Sequence, residues 1–113
     1  MRLVPLAAQA WVEVYPGVRC RIVSAERMTL TTYRFAPRSR FPRHSHVQEQ
    51  VVVVAEGSIT FSSPAQTVTV ARDQVLVIPP DIQHEAMAGG DGAVVVSVVA
   101  PARHSATDYV VEE

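Results

Sequence analysis

The chain is interrupted at short, regular intervals by residues that end strands, and this spacing limits what it can fold into. Apolar runs rich in Val, Ile and Thr occupy 18–24, 28–35, 48–55, 58–61, 67–71, 75–78, 85–87 and 93–99. Between them stand Tyr15-Pro-Gly17, the segment from Ala36 to Pro42, Glu56-Gly57, Ser62 to Pro64, Arg72-Asp73, Pro79 to Asp81 and Gly89 to Gly92. Proline lacks the donor a strand ladder needs, and Gly and Asp accept turn geometry, so each interval reads as a reversal. Eight short strands with regular turns predict an all-β sandwich or barrel. No window of a dozen residues carries a 3.6-residue stripe, apart from a possible turn near Ala7 to Trp11. The run Val51-Val-Val-Val54 is apolar on both faces, which places it centrally in a sheet or at an interface.

A length of 113 residues allows one domain, expected to span 1–113, and the 48% of apolar residues suffice for one modest core. A domain of this size buries a limited share of its surface, so a homodimer is expected. The formal net charge of −1 is spread along the chain without a basic stripe, which argues against nucleic acid as a partner. All ten basic residues are Arg, so lysine Schiff-base chemistry is excluded. Cys20 is the sole cysteine, which rules out an internal disulfide and favours a reducing compartment. The apolar stretch after Arg2 is short and interrupted by Pro5, unlike a secretion signal. Nothing approaches a membrane span, and the expected location is cytoplasmic.

Three of the four histidines share a physical logic. His44 and His46 flank Ser45 at the entrance to a strand, where alternate side chains point to one face together with Gln48 and Gln50. Two imidazoles so placed can chelate one ion and leave positions for a further protein ligand, substrate or water. A His-x-His pair alone is weak evidence, since most histidines of β proteins are surface or core residues. His84 follows the stiff turn Pro79-Pro80-Asp81-Ile82-Gln83, which aims the first side chain of the next strand.

These spacings resemble the two motifs of the cupin superfamily. The first reads Gly, five residues, His-x-His, three or four residues, Glu or Gln, six residues, Gly. Here His44-Ser-His46, Val47-Gln48-Glu49, Gln50 and, after six intervening residues, Gly57 follow it. The second reads Gly, five residues, Pro-x-Gly or Asp, two residues, His, and Pro79-Pro80-Asp81-Ile82-Gln83-His84 match it. The resemblance implies a double-stranded β-helix, or jelly-roll barrel, holding one divalent transition metal ion (Zn, Ni, Fe or Mn) through His44, His46, Gln50 and His84. Arg38 and Asp73 replace the leading glycines; Asp73 is a mild change, whereas Arg38 implies a loop with a different path. Glu49 competes with Gln50 for the ligand role, but strand parity turns Glu49 away from the histidines. A ligand set of three imidazoles and an amide leaves the ion's charge uncompensated, which suits Lewis-acid chemistry on an anionic or enolisable substrate.

Within the cupins the chain is similar to the small KdgF-like proteins, which open the ring of unsaturated uronate sugars. Shared are the Trp11-Val-Glu-Val-Tyr-Pro-Gly17 opening, His44-Ser-His46 followed by Glu49-Gln50, and a Pro-containing segment after the last strand. That family's Asp-x-Phe-Ser-Pro-Pro-Arg segment supplies active-site Asp, Phe and Arg, and the matching positions here are Ser97, Val99 and Arg103. Only the arginine is kept, which implies altered chemistry. Arg103, Tyr33 and His104 are the candidate catalytic residues, the last two as proton-transfer groups. Arg38, Arg40 and Arg43 lie just before His44 and suit either carboxylate recognition or plain solvation. Cys20, between Arg19 and Arg21, has nothing to place it near the metal. Three functions fit: a metal-dependent lyase, isomerase or cyclase on a small-molecule substrate, an iron-dependent dioxygenase, and a non-catalytic binding module.

Overall fold

A computed structural model describes residues 1–105 and 109–111 of the chain. Strands dominate, and the single short helical element is a 3₁₀ turn at Leu6–Ala8, beside the turn expected from sequence. Among the described residues there are nine strands: β1 (Val12–Tyr15), β2 (Val18–Ser24), β3 (Thr29–Phe35), β4 (Arg40–Ser45), β5 (Glu49–Ser62), β6 (Thr67–Ala71), β7 (Val75–Ile78), β8 (His84–Ala100) and β9 (Val110–Val111). No helix among these residues is long and apolar enough to cross a membrane.

Two strands organise the rest. β5 and β8 are long, pair antiparallel along almost their whole length, and each contributes to two sheets. The first half of β5 and the second half of β8 lie in one sheet, ordered β1-β2-β3-β8-β5-β7. Their other halves lie in a second sheet, ordered β9-β4-β8-β5-β6. The two inner faces enclose the core, which includes Val18, Val52, Val54, Ile59 and Val95, each almost fully buried. This is the jelly-roll barrel that the resemblance implies, within the all-β class read from the strand pattern.

Glu56-Gly57 and Gly89 to Gly92 read as turns in the sequence, yet the structure runs one strand through each. The chain bends there without reversing. The β5–β8 register shifts between Val54 and Glu56 and again between Gly57 and Ile59, and these bulges carry both strands from one sheet into the other. Gly57 and Gly92 sit at this corner with φ of 74° and 75°. A Cβ on Gly57 would fall inside the van der Waals contact of the Gly92 carbonyl, so glycine is required for backbone approach as well as for φ.

Two further differences from the sequence reading have clear causes. Part of the expected 36–42 loop is strand β4, which tolerates Pro42 because its register against β8 shifts between Phe41 and His44. Arg38 takes φ of 61° and Asp73 takes 66°, so both residues at the leading-glycine positions of the motifs are left-handed, where the sequence offered that geometry only for Asp73.

Gly57→Ala is expected to lower the free energy of unfolding by about 2 kcal/mol or more, since neither backbone can yield without loss of ladder pairing. Gly90→Ala, where an added Cβ meets nothing within 4 Å, should change it by less than about 1 kcal/mol. Paired urea titrations of the two variants measure the difference.

Candidate metal centre and its cavity

His44 is the next-to-last residue of β4, His84 opens β8, and the two are cross-strand partners. His46 lies in the bend after β4, and Gln50 is the second residue of β5. The sequence argument assumed one continuous strand from His44 to Gln50, but the chain bends through His46, Val47 and Gln48. Burial nonetheless alternates across the bend, with His44, His46, Gln48 and Gln50 inside and Val47 and Glu49 exposed. The Pro79–Asp81 turn is tied to this bend by the Asp81 N–H, which donates to the His46 carbonyl at 2.9 Å. Asp81 adopts φ of 64° to make it.

The three imidazoles face one another, with ring centroids 4.2 to 5.5 Å apart and candidate ligand atoms all within 4.8 Å. Each Nδ1 lies against a backbone carbonyl: Pro42 for His44 at 2.8 Å, Gln48 for His46 at 3.0 Å, and Ile82 for His84 at 2.8 Å. A carbonyl only accepts, so each Nδ1 carries the proton and donates it, leaving a lone pair on each Nε2. Burial keeps the rings neutral. It pushes the His44 pKa down to about 3, reinforced by His84, and that of His84 down to about 4, against the pull of the Ile82 carbonyl. His46 is lowered as well, by burial first and then by the Arg103 cation.

This arrangement fits a cation. The Nε2 of His84 is buried with no hydrogen-bond partner. The Nε2 of His46 stands 3.0 Å from the Oε1 of Gln50, although both are acceptors in this tautomer. Gln50 is held that way round because its Nε2 donates to the hydroxyl of Ser97 at 2.9 Å. Convergent, neutral, buried lone pairs repel one another until a positive ion shares them. The histidine cluster suggests a divalent metal site.

His44 and His84 of the cluster border a cleft enclosing about 390 Å³, its mouth included. Its polar lining is His44, His84, Gln50, Ser97, Tyr33 and Arg103, and its walls include Phe41, Val52, Ile59, Phe61 and Val95. Val54 and Val99 are buried nearby in the core but do not border it. Arg103 is buried, with its backbone N–H on Thr29 Oγ1 at 2.8 Å and Nη1 donating to the Tyr33 hydroxyl at 3.2 Å. Its Nε has no partner, and no described carboxylate lies within ion-pair distance. Burial raises the Tyr33 pKa against the opposing effect of Arg103, so the phenol stays protonated.

Other candidates lie elsewhere. His104 is exposed and does not line the cleft, nor does Glu49. Arg38, Arg40 and Arg43 are exposed, and Arg43 pairs with Glu85 at 2.8 Å. Cys20 is buried next to Tyr33 in the β2–β3 register, with its thiol pKa raised by burial. Sequence reasoning missed the part played by Ser97, noting only the carboxylate it replaces. The available signal was a polar residue within Val94-Val-Val-Ser-Val-Val99, at a position whose neighbours on the same face are buried. Tyr109 was also missed; it stacks near His44 at 5.0 Å between centroids and shares a 2.6 Å hydrogen bond with Tyr15.

The lowered histidine pKa values set a pH dependence for metal-free protein. The unfolded chain takes up protons near pH 6.5 that buried His44 and His84 refuse until about pH 3 to 4. Stability is therefore full above pH 6.5 and declines as the pH falls from there toward 4. Urea midpoints of chelator-treated protein should drop over that window, and a His44→Gln/His84→Gln variant should lose most of the slope.

A family model for the cupin domain matches residues 31–100. Comparison with curated protein sequences gives no match. Among solved structures, KdgF from Halomonas sp. superimposes with a TM-score of 0.79 at 20% identity, over 87% of this chain and 91% of that one. The polyketide cyclase RemF from Streptomyces resistomycificus gives 0.78 at 23% identity, over 100% and 86%. An RmlC-like cupin from Shewanella frigidimarina gives 0.83 at 16% identity, over 92% and 94%. At these identities the likeness is one of fold. With the family match extending from β3 through β8, the chain belongs to the cupin domain family.

Proposed function

We propose that residues 1–113 form one metal-dependent cupin enzyme of the lyase, isomerase or cyclase type, acting on a small oxygenated and anionic substrate. The observation that carries this reading is the cleft itself. Its lining brings together three neutral donors, His44, His84 and Gln50, with His46 beside them, and an arginine with no carboxylate partner among the described residues. Gln50 is the fourth ligand through Oε1, with Ser97 fixing the amide. Glu49 points to solvent and takes no part.

A divalent ion in this neutral donor set supplies Lewis acidity at close to its full charge. The remaining work falls to the protein's own groups. Arg103 binds the substrate's anionic group, for which its buried guanidinium has spare donors. Tyr33 accepts a hydrogen bond from Arg103 Nη1, so its own hydroxyl proton is free to be placed against a substrate oxygen. Phe41, Val52 and Phe61 exclude water and strengthen these electrostatic contacts. RemF, a polyketide cyclase by name, shares the fold and lends support to chemistry of this class.

The test is metal analysis of tag-free protein purified anaerobically, followed by exchange measurements. Near-stoichiometric metal is expected in the wild type and in Glu49→Gln, with a strong fall in Gln50→Ala. Loss in Glu49→Gln with retention in Gln50→Ala would overturn the ligand assignment. The loaded protein is then given a panel of small oxo- and hydroxycarboxylates, and solvent deuterium uptake beside the carbonyl is followed by NMR. Exchange that requires metal and falls about 100-fold or more in Arg103→Ala supports the proposal. Bound iron with oxygen consumption and no exchange would point to a dioxygenase, and tight binding without turnover to a binding module.

A further inference from the structure

A second, apolar groove adjoins the cleft beside His84. Among the described residues β6 and β7 each pair with β5, in different sheets, and not with each other. The seam between them is therefore closed by side chains alone. Val68 on β6 and Leu76 and Ile78 on β7 line it, together with Ile82 from the segment before β8. The space they border is about 360 Å³, its mouth included. Phe61 and His84 line this groove and the cleft alike, so the two spaces meet next to the histidine cluster.

The two spaces differ in chemistry. The cleft carries Arg103, Tyr33, Ser97 and Gln50, whereas no carboxylate, lysine or arginine lines the groove. Apart from His84, its polar residues are Ser63 and Gln66, at the turn from β5 to β6. Ser63 Oγ donates to the Gln66 carbonyl and accepts from the Gln66 N–H, each at 3.2 Å, so that hydroxyl is satisfied within the turn. Ile82 is 39% exposed, and Phe61, Val68 and Leu76 are half-buried. Apolar surface left wet in a concavity is stabilised when a hydrocarbon group displaces the water.

We propose that this groove is a substrate subsite for a hydrocarbon group attached to the anionic, oxygenated head that the cleft takes. The inference rests on the functional reading above and narrows its substrate class to an amphiphilic acid. With its carboxylate on Arg103 and its oxygenated centre beside His84, such a molecule passes Phe61 and lays its tail between Val68 and Leu76. Each space alone lies near the lower end of the range of about 300–1,000 Å³ typical of ligand pockets, and the two joined fall well inside it. Val68 and Leu76 do not border the cleft, so they set specificity without entering the reaction.

Calorimetric titration of metal-loaded protein with α-ketobutyrate, α-ketohexanoate and α-ketooctanoate separates the tail from the head. Affinity should rise about threefold for each added methylene. Val68→Phe, which fills the groove, should bring α-ketooctanoate to within about threefold of α-ketobutyrate while α-ketobutyrate itself stays within about twofold of its wild-type affinity. Leu76→Gln, which puts an amide there, should cost α-ketooctanoate about tenfold. Circular dichroism melts check that both variants fold. Affinity that ignores tail length, or a tail-dependent gain that both variants keep, would overturn the subsite. Hexanol, which has no carboxylate, tests the groove apart from the head: in methyl NMR it should shift the Val68, Leu76 and Ile82 resonances. That shift without binding of any acid would overturn the reading of the head group and support the groove. No shift at these methyls would overturn the groove.

Discussion

Each clustered imidazole is anchored by a hydrogen bond from Nδ1 to a carbonyl two residues away along the chain, that of Pro42, Gln48 or Ile82. Everything else about the site depends on these three local contacts. They select the tautomer, they turn every Nε2 inward, and they need no long-range packing to form. Burial adds the second constraint by keeping the rings neutral, so their lone pairs remain available as donors. A cluster of this kind is electrostatically incomplete. The barrel holds it together regardless, because His44 and His84 are partners in the β4–β8 pairing and the turn at Asp81 is tied back to His46.

Ser97 and Arg103 reach the same cavity from the last long strand and the segment that follows it. In the KdgF-like pattern the Ser97 position carries a carboxylate, which would neutralise part of the charge of a nearby arginine. A neutral hydroxyl there accepts from Gln50 instead, and the buried guanidinium keeps its Nε free. The substitution thus couples two features of one cleft, a fixed amide oxygen and an unneutralised cation.

Much of this was legible in the sequence, for reasons that can be named. β2, β6 and β7 fall at the bounds read from their apolar runs, since Gly, Pro or Asp turns close them off. The long strands β5 and β8 were read as two strands each because a glycine bulge and a glycine turn look alike in one dimension. Which it becomes depends on whether the same neighbour continues beyond it, and that is a tertiary fact. The parity argument favouring Gln50 over Glu49 assumed a strand that is in fact bent, yet the in–out alternation continues through the bend. Arg38 adopts a left-handed φ that its own preference disfavours, so the surrounding loop imposes it and the residue type does not reveal it. The roles of Ser97 and Tyr109 required knowing which strand or ring lies opposite them.

The central claim is that one divalent ion sits among Nε2 of His44, His46 and His84 and Oε1 of Gln50. A crystal structure of metal-loaded protein, with anomalous data collected on either side of the metal's absorption edge, tests it most directly. The account predicts a single strong peak about 2.0 to 2.2 Å from all four atoms, with the Gln50 amide still hydrogen-bonded to Ser97. A peak bound by the histidines but with Gln50 turned away would remove the amide from the ligand set. No peak between the histidines in protein shown to carry metal would contradict the account.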